Sequence, residues 1–109
     1  MDVDEYRKFW NKIVCFVDEF NRNSNIILNP PKYKSIVANA YYAGLVEYLT
    51  NKNGIRNPDW VFERKYYLKE PFFPSGVRRF ELRVLSMLES PIEFKSRNIF
   101  IGENTFNRC

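Results

Sequence analysis

The sequence predicts an all-α fold: a small, single-domain orthogonal bundle of about four or five helices, with an ordered aromatic loop and an extended C-terminal segment. Apolar residues recur with a helical period in three long segments. Signals typical of helix starts and stops separate those segments. One short run of strand-like character, residues 99–101, has no clear partner strand. The 109 residues suit a single domain, 1–109,.

The first helix is predicted over residues 3–22, whose apolar side chains fall on one broad face of a helical wheel,. Cys15 falls on the opposite, charged face. We expect its thiol to be exposed and unreactive, because the chain has no histidine to activate it,.

The second helix is predicted over residues 32–51. The pair Asn29-Pro30 is typical of a helix entrance, and Gly54 is a suitable C-terminal stop. Small residues on one side of this helix, among them Gly44, permit close approach of another helix. This is either the chain's own first helix, which we favour, or a helix of a partner.

The second half of the chain combines short helices with an aromatic loop. Residues 57–60, Asn-Pro-Asp-Trp, predict a short helical turn. Next comes an apolar loop, KYYLKEPFFPSG, which we expect to cover the core as an ordered strap; an exposed patch for a partner is the alternative. A helix follows from residue 75 or 76 to about residue 89. Residues 90–93, Ser-Pro-Ile-Glu, form a capping-box pattern that opens a short helix through about Arg97, with Asn98 as its stop.

Composition excludes a disordered chain and indicates no membrane span. Apolar residues make up 45% and aromatic residues 17% of the chain, more than disordered proteins contain. No apolar run reaches the ~18–20 residues that cross a bilayer. The two cysteines are isolated and the N-terminus is acidic, unlike a signal peptide, so we expect a cytoplasmic protein with no membrane partner.

The sequence contains few of the residues and motifs that enzymes use for catalysis. It has no histidine, which removes the usual general base at neutral pH and the usual zinc ligand. Its glycines build neither a dinucleotide-binding nor a phosphate-binding loop. We therefore expect no catalytic residue, no cofactor-binding residue and no metal ligand, and a protein that is not an enzyme.

Basic residues crowd the C-terminal half, and the net charge of the chain is +4. With aromatic residues between them, they suit the backbone and the bases of a nucleic acid. Acidic residues are interspersed, however, and no helix has the run of exposed Arg, Asn and Gln that a recognition helix needs. A nucleic-acid-binding regulatory protein is therefore the alternative interpretation, and protein binding is the preferred one.

Four pieces of the C-terminal half occur in order: PDWVFERKYYL, EPFFPSG, a leucine-rich helix and ESPIEFKSRNIFIGENTFNR. This string resembles a bacterial family of short domains whose pattern is W-x-x-x-x-x-x-x-L, then E-P-W-F, then E-S-P-x-x-F-x-x-R-N-I-F followed by N-x-x-x-R. The match covers about residues 58–108, and Phe72 stands where the family has Trp. The matching residues are Trp60, Leu68, Glu70, Pro71, Phe73, Glu89, Ser90, Pro91, Phe94, Arg97, Asn98, Ile99, Phe100, Asn104 and Arg108.

Members of that family occur alone or behind an Xre-type helix-turn-helix, and they are often encoded beside a predicted nucleotidyltransferase in toxin–antitoxin-like systems. The resemblance implies a protein-interaction module, the non-catalytic, neutralising (antitoxin-like) partner of a nucleotidyltransferase-type toxin. It carries over no catalytic residue.

The expected partner-binding residues combine apolar anchors with guanidinium groups: Trp60, Phe72, Phe73, Arg79, Arg83, Arg97 and Arg108. We call the extended C-terminal segment that begins at Ile99 the tail. We expect Arg97 and Arg108 at its rim, where an acidic partner surface would suit them. The alternative is that the tail only completes the bundle and that Arg97 caps a neighbouring carbonyl. A third interpretation is a small-molecule pocket under the aromatic strap.

Overall fold

The computed structural model describes residues 3–23, 28–73 and 87–101. In the first of these ranges, side chains are described only from residue 7 onward. The all-α prediction is confirmed. The elements are two long helices, α1 (Val3–Arg22) and α2 (Ile36–Lys52), two 3-10 helices, η1 (Asp59–Phe62) and η2 (Arg64–Tyr66), and a short helix, α3 (Ile92–Lys95). Residues 87–89 are also helical, and the rest of the helix predicted before them lies outside the described residues. No helix in the described ranges is long and apolar enough to cross a membrane.

Helix α1 has the bounds that its apolar periodicity predicts. Phe9, Ile13 and Val17 follow one another at four-residue spacing, and all three are buried. Phe20 continues this line one turn further, so one side of the helix faces the core. Cys15 lies on the other side and is exposed, as predicted.

Helix α2 begins at Ile36, later than the Asn-Pro pair predicts. Ser35 is its N-cap, with Oγ 3.3 Å from the amide nitrogen of Ala38, and it satisfies an otherwise free helical amide. The preceding connection is held by Asn39, whose side chain accepts from the Tyr33 amide (2.9 Å) and donates to the Tyr33 carbonyl (3.0 Å). The prolines therefore precede the helix, and the serine marks its start.

The C-terminal end of α2 is where Gly54 predicts it. Gly54 has a φ of +66°, in the left-handed region that glycine enters without steric cost. Its amide donates to the Asn51 carbonyl (3.3 Å), and the Ile55 amide donates to the Thr50 carbonyl (2.8 Å). These two bonds form a Schellman motif, which satisfies the last carbonyls of the helix.

Helix α2 is the centre of the fold because it is buried on most of its sides. Ala40, Ala43 and Leu45 have no exposed surface. Helix α1 packs on one side, where the Phe9 ring lies 5.3 Å from the Tyr41 ring, edge to face. Helix α3 and both 3-10 helices also contact α2.

The side of α2 that carries Gly44 is covered by Phe94 of α3 and by Arg97, two residues beyond that helix. Our preferred interpretation, contact with α1, is therefore wrong at this point. A Cβ added at Gly44 would lie 3.1 Å from Phe94 Cδ1 and 3.5 Å from Arg97 Cδ. A glycine is suitable here because the phenyl ring and the arginine stem lie against the helix backbone. This small residue therefore serves a contact within the chain.

Candidate functional site

Arg97 lies in the interior of the protein, and the prediction that it stands at the rim of the tail is wrong. Its side chain has no exposed surface. Nη1 donates to Glu47 Oε1 (2.5 Å) and to the Glu93 carbonyl (2.7 Å), and Nη2 donates to the Val61 carbonyl (2.6 Å). The alternative interpretation, in which Arg97 caps neighbouring carbonyls, agrees with these contacts.

The contacts of Arg97 join three separate parts of the fold. Glu47 belongs to α2, Val61 to η1 and Glu93 to α3. The centroid of the Tyr67 ring lies 4.6 Å from the guanidinium carbon, a favourable position for a cation. Burying a charge is costly unless it is paired and hydrogen bonded, and the Glu47 carboxylate supplies the pairing. Arg97 is thus a positioning residue, because it fixes the surrounding elements but offers no surface to a partner.

Trp60 is half-buried and ties the segment before α2 to the rest of the fold. Its indole Nε1 donates to the Leu28 carbonyl (3.1 Å). Its ring stacks on Tyr42, with centroids 6.1 Å apart and an interplanar angle of 7°, and the Tyr66 ring meets it edge to face at 5.8 Å. The indole therefore has a structural role, and only part of its ring is exposed to solvent.

The described part of the predicted aromatic loop after η2, residues 67–73, runs alongside the end of the described chain, and from here on we call these residues the strap. Phe72 and Ile99 form an isolated parallel β-bridge. The Phe72 amide donates to the Asn98 carbonyl (2.8 Å), and the Phe100 amide donates to the Phe72 carbonyl (3.0 Å). The tail segment that has no clear partner in the sequence therefore pairs with the strap.

Asn98 sets the direction of the tail. Its φ of +64° lies in the left-handed region, where asparagine is several-fold enriched among non-glycine residues. Its amide donates to the Lys95 carbonyl (3.1 Å) and the Ile99 amide donates to the Phe94 carbonyl (3.0 Å), so α3 ends in a Schellman motif. The Asn98 side chain also donates to the Leu68 carbonyl (2.8 Å). The left-handed conformation of Asn98 agrees with the predicted stop, but α3 itself ends at Lys95, two residues before the predicted Arg97. Asn98 also fastens the strap.

The predicted capping box at residues 90–93 is wrong. Pro91 is the residue before α3, and no side chain caps the helix. Ser90 Oγ instead donates to the Ile101 carbonyl (2.9 Å) and accepts from the Ile101 amide (2.8 Å). The serine thereby fixes the tail beside the chain that leads into α3.

The prediction of an ordered strap over the core is confirmed for Leu68 and Phe72, which pack against the core cluster. Phe73 packs against the tail, with its ring centroid 5.4 Å from that of Phe100. Phe72 and Phe73 are both half-buried. Each therefore retains exposed surface for a contact outside the chain.

An open groove of about 750 Å³ lies between the strap and the start of α2, and we call it the strap groove. Its apolar walls include Ile36 and Val37 of α2 and Leu68 and Phe72 of the strap. Ile36 is 69% exposed. The predicted start of α2 at residue 32 obscured this position, whereas Ser35 as the N-cap places an apolar side chain in the first helical position.

Charged side chains stand around the strap groove. Arg64, Lys65, Lys69 and Glu70 contribute to its lining, and all four are exposed. Lys65 pairs with Glu63 at 3.2 Å. The hydrogen bond to Glu63, and then its negative charge, raise the pKa of Lys65. The groove thus combines apolar walls with a rim on which cations outnumber carboxylates.

Three of the predicted partner-binding residues, Arg79, Arg83 and Arg108, lie outside the described residues. Among the others, the structure brings Phe72 and Phe73 together on the strap. Arg97 lies inside the fold and Trp60 belongs to a separate aromatic cluster, as described above.

A second cleft, which we call the lysine cleft, lies between α1 and the start of α2 and has a volume of about 300 Å³. Its lining includes Lys8, Lys12, Lys34 and Tyr33. Lys12 Nζ lies 5.7 Å from the centroid of the Tyr33 ring. Burial raises the pKa of Tyr33. The charges of this cleft suit an anion. The cleft has no local signal in the sequence, because its lysines come from two distant segments.

Within the described ranges, no group of three or more Cys, Asp or Glu side chains is placed to hold a metal ion. Comparison of the chain with protein-family models, with curated proteins and with solved structures finds no match.

Proposed function

We propose that this chain is a protein-interaction module, the non-catalytic and neutralising partner of a nucleotidyltransferase-type toxin, acting in the cytoplasm. The observation that carries the proposal is the strap, an anchored backbone that holds half-exposed aromatic side chains beside an open apolar groove. Contiguous exposed apolar surface of this kind is typical of interaction sites. The resemblance of residues 58–108 supplies the class of partner.

The contacts of the motif residues support a binding role. Asn98 and Ile99 hold the strap through backbone and side-chain contacts, and Arg97 lies against the Tyr67 ring of the strap. Ser90 fixes the tail that lines up with the strap. A surface that is already rigid loses little conformational freedom when it associates, which favours affinity.

A tagged pull-down from the native host, at moderate salt and with or without nuclease, tests the proposal. We expect one stoichiometric protein that survives nuclease treatment. The gene of that protein is then expressed alone and together with this chain. Growth arrest by the partner alone, relieved by co-expression, is the expected result.

Two results would contradict the proposal in different ways. Recovery of nucleic acid alone, lost on nuclease treatment, would overturn the interaction module. Recovery of a protein whose expression is harmless, with no growth arrest to relieve, would overturn the neutralising role and leave the interaction.

The second candidate function is a nucleic-acid-binding regulatory protein, and the lysine cleft is the observation that favours it. Lys8, Lys12 and Lys34 line this cleft beside the Tyr33 ring, a combination suited to phosphates and stacked bases. It predicts binding that weakens steeply with salt, with a log–log slope proportional to the number of phosphates contacted. Fluorescence anisotropy with labelled oligonucleotides over a salt series distinguishes this candidate, since absence of binding at low salt would exclude it.

A further inference from the structure

We propose that the strap groove binds an acidic segment of a partner protein, with at least one large apolar side chain inserted between the start of α2 and the strap. This inference rests on the proposed function, since it names the chemistry of the segment that an interaction module would take. It keeps Phe72 from the predicted partner-binding residues and adds Ile36, which the sequence does not single out.

The walls of the groove require an apolar anchor. Ile36 is 69% exposed although it is a large aliphatic residue, and Val37, Leu68 and Phe72 line the same groove. Covering such side chains removes apolar surface from water, which is the main favourable term in protein association. The backbone behind Phe72 is held by hydrogen bonds to the tail, so the wall is already in place before a partner arrives.

The rim of the groove selects the charge of the partner. Three cationic side chains and one carboxylate, Glu70, contribute to the lining. Lys65 is paired with Glu63, whereas Arg64 and Lys69 have no ion pair among the described residues. Two unpaired cations beside one carboxylate favour an acidic segment, because complementary rim charges speed encounter and exclude partners of like charge.

The distribution of polar groups indicates a peptide segment rather than a small molecule. Small-molecule sites usually have a few convergent polar groups inside a mostly apolar cavity. Here the charged groups, among them Arg64 and Lys69, are exposed and stand around apolar walls, which is the arrangement of a protein interface with an apolar centre and a polar rim. A second copy of this chain is a poor occupant, because each copy carries a net charge of +4.

The test is selection from a phage-displayed library of random dodecapeptides against the full chain. The enriched peptides are synthesised with a fluorophore, and their dissociation constants are measured by anisotropy. We expect enrichment of Asp and Glu together with at least one Leu, Ile, Phe or Trp. Size-exclusion chromatography with light scattering on the unliganded chain shows whether a second copy already occupies the groove.

Two matched pairs of variants locate the bound peptide. Ile36→Asp is compared with Ile92→Asp, because both isoleucines are the first residue of a helix and are similarly exposed, 69% and 67%. An aspartate is favourable at both helix starts, so both variants should fold. The double variant Arg64→Glu, Lys69→Glu is compared with Arg56→Glu, an exposed arginine outside the groove.

We expect Ile36→Asp and the double variant each to weaken peptide binding at least about tenfold, and both controls to change it less than about twofold. The effect of the double variant should shrink at high salt. The inference is overturned if no peptide is enriched, if the enriched peptides are not acidic, or if the groove variants bind as well as their controls. A dimer that Ile36→Asp dissociates would also overturn it, since the occupant would then be a second copy.

The failure of this inference and that of the proposed function are distinguishable. If the host protein recovered with the wild-type chain is also recovered with Ile36→Asp, the interaction module stands and the groove is not its site. If acidic peptides bind the groove but the host yields no protein partner, the groove chemistry stands and the proposed function fails.

Discussion

At the scale of single residues, Arg97 shows how a charged side chain becomes part of a core. Its Nη1 and Nη2 donate to acceptors from α2, η1 and α3, whereas its buried Nε has no hydrogen-bond partner within the described part of the chain. It pairs with Glu47, which keeps 16% of its side-chain surface exposed. Such a pair adds little stability over an apolar replacement, but removing one partner leaves the other uncompensated. The arginine is therefore required once the acceptors are in place.

We predict that Arg97→Ala lowers the free energy of unfolding by about 3–5 kcal/mol, measured by urea denaturation followed by circular dichroism. Arg97→Lys should lose less but still be destabilised, because an ammonium group cannot reproduce the planar fork that reaches Glu47 and Val61 together. Lys95→Ala, in the same short helix, is the control and should change stability by less than about 0.5 kcal/mol. A loss of similar size in Arg97→Ala and the control would show that the buried network contributes little.

Tyr42 gives the fold a dependence on alkaline pH. Burial, with a smaller contribution from Tyr33, raises the pKa of Tyr42 to about 12, whereas an unfolded chain ionises tyrosine near pH 10. The folded state therefore holds the phenolic proton more tightly than the unfolded state does. The resulting stabilisation is complete below about pH 10 and is lost as the pH rises from about 10 through about 12.

We predict that Tyr42→Phe flattens this alkaline fall in stability. Free energies of unfolding are measured by denaturant titration at several pH values from neutral to strongly alkaline, each normalised to the value at neutral pH. The normalisation separates the titration from the packing change at the Trp60 stack. Parallel pH profiles for the variant and the wild-type chain would contradict the assignment to Tyr42.

At the scale of elements, the two helix ends that carry Schellman motifs direct the chain that follows them. Gly54 and Asn98 each provide a left-handed residue at such an end. Gly54 can do so without steric cost, whereas Asn98 adds a side-chain bond to the Leu68 carbonyl. The end of α3 therefore fixes the strap as well as the tail.

We predict that the free energy of unfolding is about 1 kcal/mol lower for Asn98→Ala than for Asn98→Gly, because the Cβ of alanine is sterically unfavourable in the left-handed conformation. Both variants lose the bond to the Leu68 carbonyl, so the difference isolates the backbone effect. Asn53 is the matched control position, since its side chain also donates to a backbone carbonyl but its φ is −102°. At Asn53 we therefore expect the glycine variant to be no more stable than the alanine variant. Equal stabilities of the two Asn98 variants in thermal denaturation would contradict the account.

Elements with a local signal could be predicted from the sequence, and contacts between distant segments could not. The bounds of α1 and the stops at Gly54 and Asn98 follow from periodicity and from single residues. The burial of Arg97 depends on acceptors that belong to three different elements, which no local pattern brings together. The prediction that Arg97 stands at the rim of the tail was therefore wrong. The prediction at Ser90 was wrong because it relied on a local preference. A serine before proline is typical of a helix N-cap, but this serine hydrogen bonds the backbone of the tail.

The strap groove could not be predicted from the sequence either, because its residues come from distant segments. Its walls combine α2 with the strap, and its existence depends on Ile36 being the first residue of α2. The strap itself was predictable, because a proline-interrupted aromatic loop is too apolar to lie free in water. Its pairing with Ile99 was not, since a parallel bridge between Phe72 and Ile99 has no local sequence signal.

At the scale of the whole molecule, the start of α2 separates two surfaces of different chemistry. Ile36 and Val37 face the strap groove, whereas Lys34 and Ser35 line the lysine cleft. The first surface is apolar with a basic rim and suits a protein segment, and the second suits an anion. The proposed function assigns the partner to the first surface.

The measurement that tests this account most directly is a pull-down from nuclease-treated host extract with three baits in parallel: the wild-type chain, Ile36→Asp and Ile92→Asp. We expect one stoichiometric protein with the wild-type chain and with Ile92→Asp, and its loss with Ile36→Asp. Recovery of no protein with the wild-type chain would contradict the interaction module. Equal recovery with all three baits would contradict the assignment of the partner to the strap groove.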